Sequence, residues 1–170
     1  MNLYDATVPV FTKFLQNVDK WLDKAVAYAE QRKFDPETLL VARLAPNQFA
    51  LLRQIQIACD NAKMYAAKLA NKEAPSHPDT EQTIADVRAR LRTVIAYLAT
   101  FKREDFEGAD DRLLTQPRWE GKTMRGGDYL DHYALPNIHF HLTTAYAILR
   151  HNGVELGKRD YLGEQPYTKS

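Results

Sequence analysis

The sequence predicts an all-α fold, a four-helix bundle with one long connection between its third and fourth helices, and three observations carry that prediction. All seven glycines fall between Gly108 and Gly163, so the first 107 of the 170 residues lack the residue most used in the left-handed turns of tight hairpins. Apolar residues recur three and four apart over four long stretches, which is the period of an amphipathic helix. Prolines and capping residues fall between those stretches rather than within them, with two exceptions at Pro9 and Pro136. No repeat, low-complexity tract or second composition divides the chain, and residues 1–170 are expected to form a single domain.

The first helix is expected over Asn2 to Lys33, with Val10, Phe11, Phe14, Leu15, Val18, Trp21, Leu22, Ala25 and Val26 on one stripe. Pro9 sits near its start, where it is tolerated or kinks the helix. Asp35-Pro36-Glu37 reads as an N-cap, a proline at the first helical position and an acid in the first turn, opening a short helix that ends before Pro46. The second long helix is expected from Asn47 to about Asn71, followed by a loop bracketed by Pro75 and Pro78. Thr80 is read as the cap of the third helix, whose buried stripe holds Ile84, Val87, Leu91, Val94, Ile95 and Leu98. Lys102 to Gly127 is the long connection, with a short strand possible only over Arg112 to Trp119. Asp128 is expected to cap a fourth helix that runs to about His151 and stops at Asn152-Gly153. Val154 to Ser170 is read as an extended tail.

Composition excludes several function classes. With 23 basic and 22 acidic side chains the formal charge is +1, and no long basic run supplies the concentrated positive face that nucleic acid or a charged membrane surface requires. No stretch approaches the roughly 20 apolar residues of a membrane span. Cys59 is the only cysteine, which rules out an intramolecular disulfide, and the first 20 residues read neither as a signal nor as a transit peptide; a cytoplasmic location is expected.

Candidate site residues are polar groups that interrupt the apolar stripes, because bundle sites form between facing helices. Four of the five histidines, His132, His139, His141 and His151, fall in or at the end of the fourth helix. Residues two apart point to nearly opposite sides of a helix, so His139 and His141 cannot share one ion. His132 and His139, seven apart, lie on a stripe with Thr143 and Arg150 and read as solvated. His141 lies in the arc of Leu130, Ala134, Ile138, Ala145 and Ile148, and Asn137 one turn earlier points the same way, so the pair reads either as a core hydrogen bond to a facing helix or as a ligand or metal site. Pro136 removes a backbone hydrogen bond beside Asn137 and is expected to open the helix wall there, or else to mark the helix start. On the second helix Gln54 looks inward near Leu51 and Ala58, whereas Gln56, Asp60, Arg53 and Lys63 form a solvated or ion-paired stripe. Cys59, on an apolar stripe, reads as a small core side chain rather than a nucleophile. Phe49, Ile57 and Met64 lie off the main apolar face, a surplus that suggests a partner subunit or else cover by the Lys102 to Gly127 connection, and Trp119 and Tyr129 flank the connection where they could gate a pocket or cover the bundle end.

The strings Leu3-Tyr-Asp-Ala-Thr-Val-Pro9, Arg53-Gln-Ile-Gln-Ile-Ala-Cys-Asp60, Ala134-Leu-Pro-Asn137 and His141-Leu-Thr-Thr-Ala-Tyr-Ala-Ile-Leu-Arg-His-Asn-Gly153 resemble the DinB/YfiT-like metalloenzyme superfamily, in a branch of bacterial proteins of unknown function. The resemblance covers nearly the whole chain. It implies a DinB-like bundle, a homodimer, and in the wider superfamily a nickel or zinc ion held by one histidine of the second helix and two of the fourth. His141 matches the second histidine of the fourth helix, Asn137 stands where the first would be, and Gln54, or less readily Gln56, stands at the second-helix position. One of three ligands survives. Amide oxygens are far weaker donors than imidazole toward zinc or nickel, so no cofactor is expected, His141 being the metal ligand if an ion binds at all.

The reading that follows is a protein binding a small molecule in an inter-helix pocket lined by His141, Asn137 and Gln54, with Phe14 and Trp21 nearby. The alternative implied by the resemblance is a divalent-metal-dependent enzyme of the thiol-transferase or isomerase type, recruiting His139 or Asp60. A metal-independent enzyme with His141 as general base lacks an acid partner on the same stripe. No catalytic residue is assigned.

Overall fold

The structure, a computed structural model, describes residues 2–168. It is all-α apart from one two-residue hairpin, and the core draws side chains from every long helix. Helix α1 spans Leu3–Arg32 and begins where the Asn2 side chain accepts a hydrogen bond from the Tyr4 amide at 2.9 Å. Pro9 lies inside α1 and the helix continues past it. The helix ends at Lys33, which takes a left-handed conformation (φ 59°) while the Phe34 amide reaches back to the Ala29 carbonyl. A 3₁₀ helix over Pro36–Val41 follows, with Asp35 as its cap.

Helix α2, Leu51–Leu69, starts four residues later than the sequence predicts, because the chain after Ala45 makes a turn and the first helical carbonyl is that of Ala50. Helix α3, Ile84–Leu98, is capped by Thr83 and not by Thr80. Thr83 and Asp86 satisfy each other's backbone amides in a reciprocal capping box, a partner that Thr80 does not have.

The long connection contains a 3₁₀ turn at Arg103–Phe106, strand β1 at Leu113–Leu114, a second 3₁₀ turn at Pro117–Trp119, and strand β2 at Met124–Arg125 paired antiparallel to β1. Its end is tied down at Gly126. A Cβ there would lie 1.8 Å from the Ala109 carbonyl oxygen, so only glycine lets the two backbones approach.

The fourth long helix begins at Gly126, two residues before Asp128, and has three parts: α4 over Gly126–Tyr129, a π-turn over Leu130–Ala134, and α5 over Leu135–His151. The Leu135 amide bonds the Leu130 carbonyl, five residues back, and Pro136 occupies the first turn of α5, where its missing amide is least costly. The kink expected at Pro136 is thus met by a wide turn just before it. Helix α5 stops at Asn152 and Gly153, the latter at φ 95°.

The expected extended tail is corrected by a short helix, α6, at Lys158–Leu162. It lies across α1, where the Asn17 side-chain amide donates to the Tyr161 carbonyl at 2.9 Å and the Trp21 indole to that of Asp160 at 3.0 Å. Lys169 and Ser170 lie outside the described residues. Among the described residues no helix is long and apolar enough to cross a membrane.

Candidate functional site

Helices α2 and α5 run side by side in opposite directions, and their facing polar residues meet in order. Gln54 is 1% exposed and holds its orientation by donating from Nε2 to the Phe49 carbonyl at 3.1 Å. Its Oε1 therefore faces His141, whose Nδ1 lies 2.7 Å away and must donate. That assignment places the proton on Nδ1 and leaves the Nε2 lone pair without a protein partner among the described residues, on a ring that lines a cleft between α2, the long connection and the fourth helix. One to two turns along, Asn61 of α2 donates to Asn137 of α5 at 3.3 Å. Asn137 thus satisfies Asn61 rather than the imidazole. Gln56 points away and donates to Glu81 at 2.8 Å, so Gln54 is the glutamine beside His141.

The cleft has a volume of about 910 Å³. Its floor continues from the amides to Tyr65, Tyr129 and Tyr133, packed edge to face or stacked with ring centroids 5.4 to 5.8 Å apart, and Trp119 closes against Tyr129 and Tyr133 from the connection. Burial raises the Tyr65 and Tyr129 hydroxyls well above their ordinary range, so both remain protonated. His141 is pushed below its usual value, first by burial and then by the Arg53 cation, and is neutral at pH 7.

Phe14 and Trp21 are not part of this cleft. They pack with Tyr161 on the opposite side of the bundle, together with His139, whose Nδ1 lies 3.1 Å from the Tyr161 hydroxyl. His139 is half-buried there and not solvated, whereas His132 is exposed; the π-turn that contains His132 breaks the stripe that a regular helix would have given them.

The polar stripe of α2 is ion-paired and largely buried under the 71–83 loop. Arg90 of α3, 5% exposed, bonds Asp60 at 2.8 Å, Asp79 at 3.0 Å and Glu81 at 3.0 Å, and Lys63 bonds Asp60 at 2.8 Å and His77 Nδ1 at 2.9 Å. Asp60 is thereby committed away from His141. Cys59 lies beneath this network, its thiol raised by burial to about 12, which makes it inert.

The donor set beside His141 is one imidazole and three amides, and among the described residues no group of three or more His, Cys, Asp or Glu is placed to hold a metal ion. These residues do not fit a three-ligand nickel or zinc centre. Asn61, Tyr65, Tyr133, Lys68 and Arg118 are site residues that the sequence reading missed. A signal was present: Tyr129, Tyr133, Asn137 and His141 are spaced by four throughout, and Gln54, Asn61, Tyr65 and Lys68 by seven, four and three.

A family model described as Domain of unknown function (DUF1993) matches residues 3–162. Among solved structures, the chain is similar to the crystal structure of a DinB family member protein from Shewanella denitrificans, at 49% identity and a TM-score of 0.96, covering 99% of this chain and 96% of that one. No curated protein matches it.

Proposed function

The chain belongs to the DUF1993 family, a DinB-like family of unknown function, and from that premise we propose that it binds a small organic molecule in the cleft between α2 and α5. The observation that carries this reading is the fixed tautomer of His141. Gln54, itself oriented by a backbone carbonyl, makes the imidazole donate inward and leaves an unpartnered acceptor on the cleft wall. A neutral imidazole held this way accepts a hydrogen bond from a ligand hydroxyl, amine or amide, while the tyrosine floor supplies apolar contact. The metal-dependent reading has no comparable support, since its third-ligand candidates, His139 and Asp60, are engaged elsewhere.

The test is a thermal-shift screen of a metabolite library with tag-free protein, followed by titration of each hit into wild type and His141→Ala. Hits that lose about tenfold or more in affinity in the variant, with its helical circular dichroism unchanged, support the proposal. Hits indifferent to His141 sink it. Metal analysis of the same sample bears on the alternative: stoichiometric zinc or nickel that disappears in His141→Ala would restore the enzyme reading.

The homodimer is part of the same proposal. Phe49, Met64 and Phe140 are 57%, 45% and 56% exposed; the first two line the cleft and the Phe140 ring lies 5.2 Å from that of His141, so apolar surface frames the cleft mouth. A twofold contact between these rims would bury it.

A further inference from the structure

The two ends of the cleft differ in charge. Lys68, Lys72 and Arg118 line one end, and among the described residues no aspartate or glutamate lines any part of it. Lys72 is paired with Asp105 at 2.6 Å. Lys68 and Arg118 have no carboxylate within ion-pairing distance among the described residues, and Lys68 donates only to the Thr115 carbonyl. Arg118 lies with its guanidinium 5.1 Å from the centre of the Tyr133 ring, and the Lys68 ammonium 6.0 Å from that of Tyr129. A guanidinium stacked on a ring keeps its N–H edge free, the edge that engages a carboxylate or phosphate through two parallel bonds. Other faces hold cations that carry their own counter-ions, Arg88 with Asp19 and Asp23, Arg90 with three carboxylates and Arg125 with Asp110 and Asp111. What sets Lys68 and Arg118 apart is their place: two neighbouring cations without a counter-ion on one cleft wall over an aromatic floor, where burial together with Arg118 depresses the Lys68 ammonium.

His141 lies at the opposite end. Tyr133 and His141 are eight residues apart on the fourth helix, an axial distance of about 12 Å at 1.5 Å per residue, with the Asn61 and Asn137 amides between them.

We propose that the ligand is an elongated anion: a molecule with a carboxylate or phosphate seated between Arg118 and Lys68, a planar apolar body on Tyr129 and Tyr133, and a hydrogen-bond donor reaching His141 Nε2. This deepens the small-molecule reading above and rests on it. The shared chemistry is the anionic head; its tail is apolar enough to lie on aromatic rings.

Four probes of one shape class, each with a phenol as the donor for His141, test it in the full-length chain: 4-(4-hydroxyphenyl)butyrate, 3-(4-hydroxyphenyl)propyl phosphate, neutral 4-(4-hydroxyphenyl)butyramide and cationic 4-(4-hydroxyphenyl)butylamine, each titrated by calorimetry and by ligand-observed NMR. Either anion, or both, should bind about tenfold or more tightly than the amide, the amine not at all, and which anion is tighter distinguishes a carboxylate ligand from a phosphate. The double variant Lys68→Ala/Arg118→Ala should abolish the anion advantage while leaving amide binding unchanged, and Arg118→Glu should transfer the preference to the amine. Both residues reach the surface, so circular dichroism and the melting temperature should stay near wild type. Equal binding of anion and amide, with both weakened by His141→Ala, would overturn the anion assignment and leave the small-molecule reading standing. Absence of binding by every probe, together with no library hit sensitive to His141→Ala, would overturn both.

Discussion

Gln54 Oε1 and His141 Nδ1 lie 2.7 Å apart across the α2–α5 interface, and the amide that makes this bond is almost completely buried. The pair sets both the position and the tautomer of the imidazole. Replacing Gln54 with leucine leaves the His141 N–H and the Phe49 carbonyl without partners, so the fold should lose about 1–3 kcal/mol in urea unfolding. The ring should also exchange between tautomers, read from the nitrogen shifts of the imidazole. A Gln54→Leu protein with wild-type stability and an unchanged Nδ1–H signal would contradict the assignment.

Stability should fall as the pH drops below about 6.5, the unfolded histidine value. His77, His139 and His141 are all held below that value in the fold, with burial the largest cause for each. The unfolded chain therefore binds more protons than the native one between the native and unfolded values, and unfolding gains free energy as protons are added through that window. His141→Gln and His139→Gln should each flatten the slope of unfolding free energy against pH below 6.5. Ligand affinity should fall over the same range, because protonated Nε2 no longer accepts.

Arg90 sits among Asp60, Asp79 and Glu81 with almost no exposure. Arg90→Leu leaves three carboxylates around one apolar side chain and should cost about 3–5 kcal/mol in denaturant unfolding. Arg90→Lys should recover only part of this, since a single ammonium cannot span acids on both α2 and the 71–83 loop. Full recovery by lysine would show that the network needs charge but not shape.

Two adjacent glycines should respond differently to alanine. At Gly126 the new methyl meets the Ala109 carbonyl at 1.8 Å, backbone against backbone, and about 1–3 kcal/mol should be lost in thermal or urea unfolding. At Gly127 it meets the end of the Asp110 side chain at 2.4 Å, which is mostly exposed and can swing aside, so the change should stay within about 0.5 kcal/mol.

The homodimer gives a direct measurement. Sedimentation equilibrium at micromolar concentration should return twice the 19.5 kDa chain mass, and Met64→Lys or Phe140→Lys should return the monomer. A monomeric wild type would end this proposal.

The helices were legible because burial is periodic: the stripes of α1 and α3 hold Trp21, Leu22, Leu91 and Leu98, all essentially without exposure. Their ends were less so. Thr80 and Thr83 are both acceptable caps by residue type, and only the reciprocal acid at Asp86 separates them. Helix α6 is too short to show a period, and its docking depends on Asn17 and Trp21, about 140 residues away. In the site, Gln54 and His141 could be read as inward-facing residues from their own helices. Asn137 was placed correctly on the fourth helix, but its partner was not, since Asn61 lies across the interface. Arg118 comes from a 3₁₀ turn in the long connection, where no helical phase predicts which way a side chain faces.

The π-turn at Leu130–Ala134 resets the angular phase of the fourth helix. In an unbroken α-helix, Tyr129 and His141 are twelve residues apart and would differ in azimuth by about 120°, at about 100° per residue. One extra residue absorbed in the wide turn subtracts one step and brings the two side chains to within about 20° of each other. The aromatic floor under the cations and the imidazole therefore share one wall because of a single-residue insertion, with Pro136 marking where regular winding resumes. Deleting one residue from this turn would let the helix wind regularly with the two halves of the site still in phase, whereas regular winding of the full sequence would keep every side chain named in the site and dismantle it, by rotating its two halves onto different faces.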